Sequence, residues 1–274
     1  MSVEPPEIAP PREEPPSRAR WPQIGDIIPN HDGYRPPASD LFVGFQARFG
    51  GTIDASIHCT RGNCEWTELG RASVLEYEAF SLGERLFLID AMQVASPARS
   101  LTLLLDLAHL RALVVDVTFP APQIAQSGML ARIAETGSQS AVKVRYRQGR
   151  IGEGEAPPFR RTTALVGKHV RYTYSDTHLY DHYYLSDRYY AWFCRQGPDR
   201  NLGDFEECDY WQVGPRMYLV SWREKLLPCV GILVENHLSM TATGKICGVD
   251  AYTGQAANTR VGAHIKVIAD TLAD

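Results

Sequence analysis

The sequence lacks any apolar run long enough to cross a membrane as a helix, which takes about 18 residues or more. Its first residues, MSVEPPEIAPPREEPP, also lack the basic segment followed by an apolar one that marks a secretory signal. Together these absences predict a cytoplasmic protein with no membrane partner.

A surplus of positive charge is missing as well. The chain has 28 Lys and Arg residues against 32 Asp and Glu residues, which gives a formal net charge of −4. The basic residues are scattered along the chain, whereas nucleic-acid binders concentrate them on one surface. We therefore expect no nucleic-acid partner.

Cysteine is scarce, with six residues in 274. Cys59 and Cys64 have the spacing C-x4-C, but no second cysteine pair completes a set of four metal ligands. In a reducing compartment, cysteines such as these remain thiols. The sequence thus predicts six free cysteines and no metal site.

Proline is concentrated at the start of the chain, since ten of the 18 prolines fall within residues 1–37. A segment of Pro, Glu and Arg buries too little apolar surface to offset the entropy lost on ordering. Residues 1–37 are therefore predicted to be a disordered tail that can be removed.

From residue 38 onward, short apolar alternations are typical of antiparallel strands. One helix is predicted over Gln123–Thr136, and a linker over Gly149–Pro158.

The chain repeats itself on either side of the linker. Residues 42–44 match 165–167 and residues 141–144 match 264–267 at an offset of 123, while residues 82–89 match 213–220 at an offset of 131. The eight extra residues of the second copy fit the polar stretch 198–206. An internal repeat of this length predicts an all-β protein with two tandem antiparallel β-barrels, a structural one over 38–150 and a ligand-binding or active one over 151–274.

Tyrosine is abundant in one stretch of the second copy. Leu165–Phe193 contains seven of the 13 tyrosines of the chain, spaced with the period of two that is typical of strands. A hydroxyl buried without a partner costs about 1–3 kcal/mol. Several inward phenols in one small barrel therefore indicate either an internal hydrogen-bond network or a ligand that supplies partners.

The two copies differ in chemistry, and this difference predicts where a site lies. Where the first copy has apolar or neutral residues, the second has Tyr172, Tyr174, His182, Trp222 and Glu224, which we expect to line one pocket. Glu224 follows Trp222 by two residues and so shares its face of the strand. Burial beside an indole would raise the pKa of this carboxyl toward the range useful for proton transfer. The alternative, that Glu224 lies in water at the rim, fits the sequence equally well.

These motifs carry resemblances to two families. YTYSDTHLYDHYY followed by VSWRE resembles the single-barrel phenolic acid decarboxylases. The wider pattern of LVGK, the tyrosine-rich run, VSWRE and NHLSMTATG resembles the family of molybdenum-cofactor-biosynthesis protein F (MoaF) over residues 38–274. The resemblance to the decarboxylases implies lipocalin-like (calycin) barrels and no cofactor.

The decarboxylase resemblance also implies roles for individual residues. Tyr172 and Tyr174 match the tyrosines that grip the substrate, and Glu224 matches the glutamate that delivers a proton. The family's substrate-binding arginine is replaced by Asp204, which has the opposite charge, and Arg200 in the inserted stretch is close enough in sequence to substitute. The remaining candidates are His182 for acid or base catalysis and Tyr180, Tyr184 and Trp222 for substrate contact.

Two functions remain open from the sequence. One is a cofactor-independent lyase or isomerase that acts on a small aromatic or enolisable molecule. The other is a lipocalin-like protein that binds or delivers a small molecule without turnover, with a link to molybdenum-cofactor metabolism. The sequence is compatible with a homo-oligomer in both cases.

Overall fold

The computed structural model describes residues 24–27, 31–93 and 99–272. Its first half is an eight-stranded antiparallel sheet in which each strand pairs with the next along the chain. The strands are β1 (Gln46–Phe49), β2 (Ala55–Cys59), β3 (Asn63–Glu68), β4 (Arg71–Ser81), β5 (Leu86–Gln93), β6 (Arg99–Asp106), β7 (Arg111–Thr118) and β8 (Lys143–Arg150).

The second half repeats this order of eight strands. They are β10 (Lys168–Ser175), β11 (His178–Tyr184), β12 (Tyr189–Gln196), β13 (Gly203–Gly214), β14 (Met217–Arg223), β15 (Cys229–Asn236), β16 (Thr241–Val249) and β17 (Ala256–Asp270), and a short strand β9 (Arg160–Arg161) pairs with the edge of β13. Because β10 also pairs with β17 and β12 with β13, the eight long strands form a closed barrel.

The first sheet curls in the same way but closes less completely. Its two ends meet through an isolated bridge between Phe49 and Ile151 and a hydrogen bond from the Gly50 N–H to the Arg150 carbonyl of 3.1 Å. The prediction of an all-β protein with two tandem antiparallel barrels is therefore confirmed, with the second barrel closed and the first a curled sheet.

Helices are few and short. They are α1 (Ile24–Ile27), α2 (Pro122–Ala125) and α3 (Met129–Thr136), with a 3-10 turn at Asp40–Phe42. The prediction of one continuous helix over Gln123–Thr136 was wrong, because the segment forms two short helices. Gly128 takes an extended conformation (φ −65°, ψ 146°) and is the N-cap of α3. Among the described residues, no helix is long and apolar enough to cross a membrane.

Apolar side chains fill the interior of the first barrel. Phe49, Trp66 and Leu103 belong to its core and are at most 1% exposed. The rings of Phe49 and Trp66 stack with their centroids 5.7 Å apart. The structural role and the boundaries predicted for residues 38–150 stay predictions.

The two barrels pack together through their outer faces. Leu104 and Val115 of the first barrel belong to one buried apolar cluster with Leu219 and Ile232 of the second. Within this interface lies Lys245, whose side chain is fully buried.

The Lys245 ammonium donates to the Asp90 carboxylate and to the Ser100 hydroxyl across the interface. The Asn258 amide donates to the other oxygen of Asp90 at 2.8 Å, and Arg260 approaches the same oxygen. Burying an ammonium in an apolar interface is tolerable only with partners such as these.

The described part of the predicted tail, residues 24–27 and 31–37, lies against the second barrel. Tyr34 donates from its hydroxyl to Asp176 at 2.6 Å and from its backbone N–H to the Tyr174 carbonyl at 3.1 Å. Gly262 permits this approach, because a Cβ there would lie 2.3 Å from the Tyr34 carbonyl oxygen. Ile24 is also buried, at 3% exposed. These described residues therefore make apolar and hydrogen-bond contacts that their composition did not indicate. Residues 1–23 and 28–30 lie outside the described part.

Candidate functional site

The second barrel contains a cavity of about 210 Å³ near the end where β10 turns into β11. Its wall consists of Ile24, His31, Tyr174, Tyr180, His182, Tyr190, Trp192, Asp199, Leu202, Asp204, Trp222, Glu224, Leu226, Leu227, Cys229 and Ile246. A dry cavity of about 150 Å³ holds a benzene molecule, so this one accommodates a single ring with a small substituent.

Strand alternation brings the aromatic rings together. Tyr174 on β10, Tyr180 on β11, Tyr190 and Trp192 on β12, and Trp222 on β14 point to the barrel interior and form much of the cavity wall. The rings of Tyr180 and Trp192 lie 6.1 Å apart, and those of Tyr190 and Trp222 lie 5.6 Å apart. The wall is therefore largely a set of π faces.

His182 lies within this wall and is 3% exposed. Its ring centroid is 4.1 Å from that of Tyr172 and 5.6 Å from that of Trp222. Burial lowers the pKa of the imidazole to about 3, so the ring is neutral at neutral pH. No described residue makes a hydrogen bond to its Nδ1 atom, and the buried Trp192 Nε1 atom is likewise without one. Two buried polar atoms of wall residues thus lack a hydrogen-bond partner among the described residues.

Glu224 lies at the end of β14 and is held by its neighbour in the wall. The Trp222 indole donates to Glu224 Oε1 at 2.9 Å. Trp222 can lie flat across β15 because Gly231 is opposite it, where a Cβ would come within 2.0 Å of the indole ring. Glu224 lines the cavity and is partly exposed, so it lies between the two alternatives that the sequence leaves open.

A second carboxyl, Glu206 on β13, faces Glu224. The register that pairs Glu207 with Arg223 places Glu206 opposite Glu224, and Glu206 is fully buried. Burial, followed by the proximity of Glu224, raises the pKa of Glu206 well above the usual range for a carboxyl.

Burial raises the pKa of Glu224 as well. One Glu206 oxygen accepts from the Lys225 N–H at 3.0 Å, while Oε1 has no donor among the described residues. A proton placed between the two carboxyls would give that oxygen a donor, as in other carboxyl pairs of buried sites.

A separate network occupies the barrel interior beyond the cavity. Tyr172 and Tyr184 both donate to the buried carboxylate of Glu235, and their hydroxyl oxygens are 2.9 Å apart. The other Glu235 oxygen lies 2.5 Å from Nε2 of His237, which is also buried. This network satisfies the inward phenols internally, which is one of the two arrangements that the tyrosine-rich stretch predicts.

The mouth of the cavity is acidic. Asp199 accepts from the Tyr180 hydroxyl at 3.1 Å, and burial raises the pKa of its carboxyl. Asp204 pairs with the ammonium of Lys225, which is not part of the wall. The described wall residues include no Lys or Arg. A carboxylate ligand would therefore meet three carboxyl side chains and no cationic partner.

The predicted site residues divide into two groups in space. Those that line the cavity are Tyr174, Tyr180, His182, Asp204, Trp222 and Glu224. Tyr172 and Tyr184 lie deeper, in the Glu235 network, and Arg200 is not part of the wall. Glu206 was missed because residues 198–206 were interpreted as loop, although the alternation Glu206, Cys208, Tyr210 on β13 indicates an inward face.

No arrangement of three or more His, Cys, Asp or Glu side chains suited to a metal ion occurs within the described ranges. All six cysteines are buried and free. The polar side chains that line the cavity are carboxyls, phenols, indoles and imidazoles.

Fold and site together define a tandem β-barrel protein whose second barrel contains an aromatic cavity with the partly exposed Glu224 in its wall and the buried Glu206 opposite it. The family model of the MoaF N-terminal domain matches residues 19–121, and that of the MoaF C-terminal domain matches residues 159–271. The chain is also 32% identical to Protein MoaF from Klebsiella aerogenes over 193 residues, which are 70% of this chain and 73% of that protein. The chain belongs to the MoaF family.

A solved structure from Burkholderia vietnamiensis, described as a putative beta-lactamase, aligns with 40% of this chain and 99% of its own. The identity is 16% and the TM-score is 0.34, so this similarity carries no argument about function or fold.

Proposed function

We propose that the second barrel binds a small, single-ring molecule and that Glu224 transfers a proton to or from it, as a cofactor-independent lyase or isomerase. The observation that carries the proposal is the pair of Glu224 and Glu206 at the cavity. An acid or base needs a pKa raised toward neutral pH, and burial raises the pKa of both carboxyls.

Glu224 and Glu206 have different roles in this proposal. Glu224 lies in the wall and exchanges the proton with the ligand, while Glu206 lies behind it and shares the proton between events. The Trp222 indole orients Glu224 through its hydrogen bond of 2.9 Å. General acid or base catalysis of this kind contributes about 10²–10⁴-fold to a rate.

Ligand oxygen atoms have donors available in the same wall. Tyr174 reaches the cavity, and burial raises the pKa of its phenol, so the hydroxyl keeps its proton and donates. Trp192 Nε1 is a second donor without another partner among the described residues. Two such donors would stabilise the oxygen of an enol or enolate as charge develops on it.

The lack of a cationic side chain in the described wall argues against decarboxylation of an arginine-anchored substrate. Asp204, in the place of that arginine, adds a carboxylate instead. Among the two reaction classes, the wall therefore favours an isomerase-type proton transfer on an uncharged carbonyl group over loss of a carboxylate.

The alternative function is binding or delivery without turnover. It is supported by the cover over the cavity, where Ile24 and His31 of the N-terminal segment and Leu226 and Leu227 of the β14–β15 loop complete the wall. An enclosed apolar pocket of this kind also suits a carrier.

Exchange with solvent deuterium separates the two functions. Compounds found in the purified protein by small-molecule mass spectrometry, or in a screen of one-ring carbonyl compounds, are incubated in D2O with the protein. Wild type should incorporate deuterium at carbon, and Glu224→Gln should bind the same compounds but lose the exchange by about 10²-fold or more. Glu207→Gln, next to Glu206 but on the outer face beside Arg223, is the matched control. Binding without exchange in wild type would establish the carrier function instead.

A further inference from the structure

The charges around the cavity are unbalanced in a way that the proton-transfer proposal does not use. Asp199, Asp204 and Glu224 line the wall, and Glu206 lies directly behind Glu224. The Lys225 ammonium, outside the wall, is already bonded to Asp204 and to the Phe205 carbonyl. The described wall residues include no Lys or Arg that could compensate the remaining carboxyls.

The rest of the wall is suited to a positive charge. Tyr174, Tyr180, Tyr190, Trp192 and Trp222 present aromatic rings to the same space. A cation held over such rings is attracted by the negative charge of their faces, and cages of aromatic rings recognise nitrogen cations.

A separate observation concerns His182, which is 3% exposed and part of the wall. Its Nδ1 atom has no hydrogen-bond partner among the described residues. In the tautomer that carries its proton on Nε2, the Nδ1 atom of a neutral imidazole is an acceptor, and a carboxylate ligand has no proton to donate to it. An N–H of a ligand ammonium can supply that donor.

From these features we infer that the natural ligand of this cavity carries a positively charged nitrogen, as a ring-bearing amine or a related nitrogen cation. The inference rests on the proposed function for the location of the site, and it adds the charge class of the ligand. The ammonium group lies among Asp199, Glu224 and the tryptophan rings, and the ring of the ligand fills the apolar remainder. The opposite class, aromatic carboxylates, is disfavoured because such a ligand would be desolvated against carboxyls.

Three commercial probes of nearly equal size test the charge class. Benzylammonium, benzyl alcohol and benzoate share one ring and differ in the charge of a small group. Titration calorimetry with the full-length protein at pH 7 should show benzylammonium binding about tenfold or more tightly than benzyl alcohol. Benzoate should bind most weakly.

Substitutions then locate the charge. Asp199→Asn should weaken benzylammonium about three- to tenfold and leave benzyl alcohol unchanged. Asp187→Asn removes an exposed carboxylate at the opposite end of the barrel, in the β11–β12 turn, and controls for long-range charge. It should change neither affinity. Heat denaturation of both variants checks that each is folded.

The outcomes separate the two proposals. Equal binding of benzylammonium and benzyl alcohol, tighter binding of benzoate, or an Asp199→Asn loss that is equal for both probes would overturn the charge inference and leave the cavity as a binding site. If none of the three probes binds the wild-type protein at millimolar concentration, the single-ring binding site itself is refuted, and the charge inference falls with it.

Discussion

Glu206→Gln is the substitution for which the structure predicts the sharpest change in stability with pH. Gln keeps the shape of Glu206, can still accept from the Lys225 N–H, and offers Glu224 an amide donor in place of a shared proton. The variant therefore removes the proton of the pair while leaving the packing of the barrel intact.

The magnitude follows from the proton that the pair holds. Both carboxyl pKa values are raised in the folded protein, first by burial, so the folded state binds this proton more tightly than the unfolded chain, where Glu titrates near 4.3. Stability is then greatest at low pH and falls as the pH rises toward the folded pKa. One excess proton gives a slope of about 1.4 kcal/mol per pH unit, or about 3 kcal/mol between pH 6 and pH 8.

Urea unfolding of wild type and variant at pH 6, 7 and 8 measures this slope. Between pH 6 and pH 8, the free energy of unfolding of wild type should fall by about 3 kcal/mol relative to that of the variant. Glu207→Gln loses the contact with Arg223 and should shift the curve by a constant amount. Parallel curves for wild type and Glu206→Gln would show that the two carboxyls do not share a proton, and the acid–base argument would fail with them.

Two further changes test the interface and the N-terminal segment. Lys245→Met should destabilise the protein by about 3 kcal/mol in chemical denaturation, because the buried Asp90 carboxylate loses its ammonium partner. The double variant with Asp90→Leu should recover most of that loss. A single variant as stable as wild type would refute the importance of this ion pair. A chain that begins at residue 38 should melt about 5 °C lower than the full chain, since it loses the burial of Ile24 and the hydrogen bond from Tyr34 to Asp176. An unchanged melting temperature would instead support the sequence prediction that residues 1–37 are removable.

The fold could be predicted from the sequence because it is encoded twice. Matched motifs at nearly constant offsets require the same strand order in both halves, and period-two alternation gives the inward face of each strand. The helix prediction failed in its middle because the periodicity of 123–136 continues through Gly128, where the backbone leaves the helix. Apolar spacing alone does not reveal such a break.

The site was harder to predict because it depends on depth and register. Alternation places Tyr172 and Tyr174 on one face, but it does not indicate that Tyr172 reaches Glu235 while Tyr174 reaches the cavity. His237 is buried against Glu235, which its position just after a strand end does not indicate. Glu206 becomes visible only when the pairing of β13 with β14 is known.

The lysine buried between the barrels has a consequence for how the whole chain folds. Lys245 belongs to one half and Asp90 to the other, so neither half alone can neutralise the charge that it contributes to the shared apolar patch. A fragment cut within the linker would expose this apolar patch to water together with charged side chains that have lost their partners. We therefore expect the two barrels to unfold as one cooperative unit, in a single calorimetric transition despite their separate sheets.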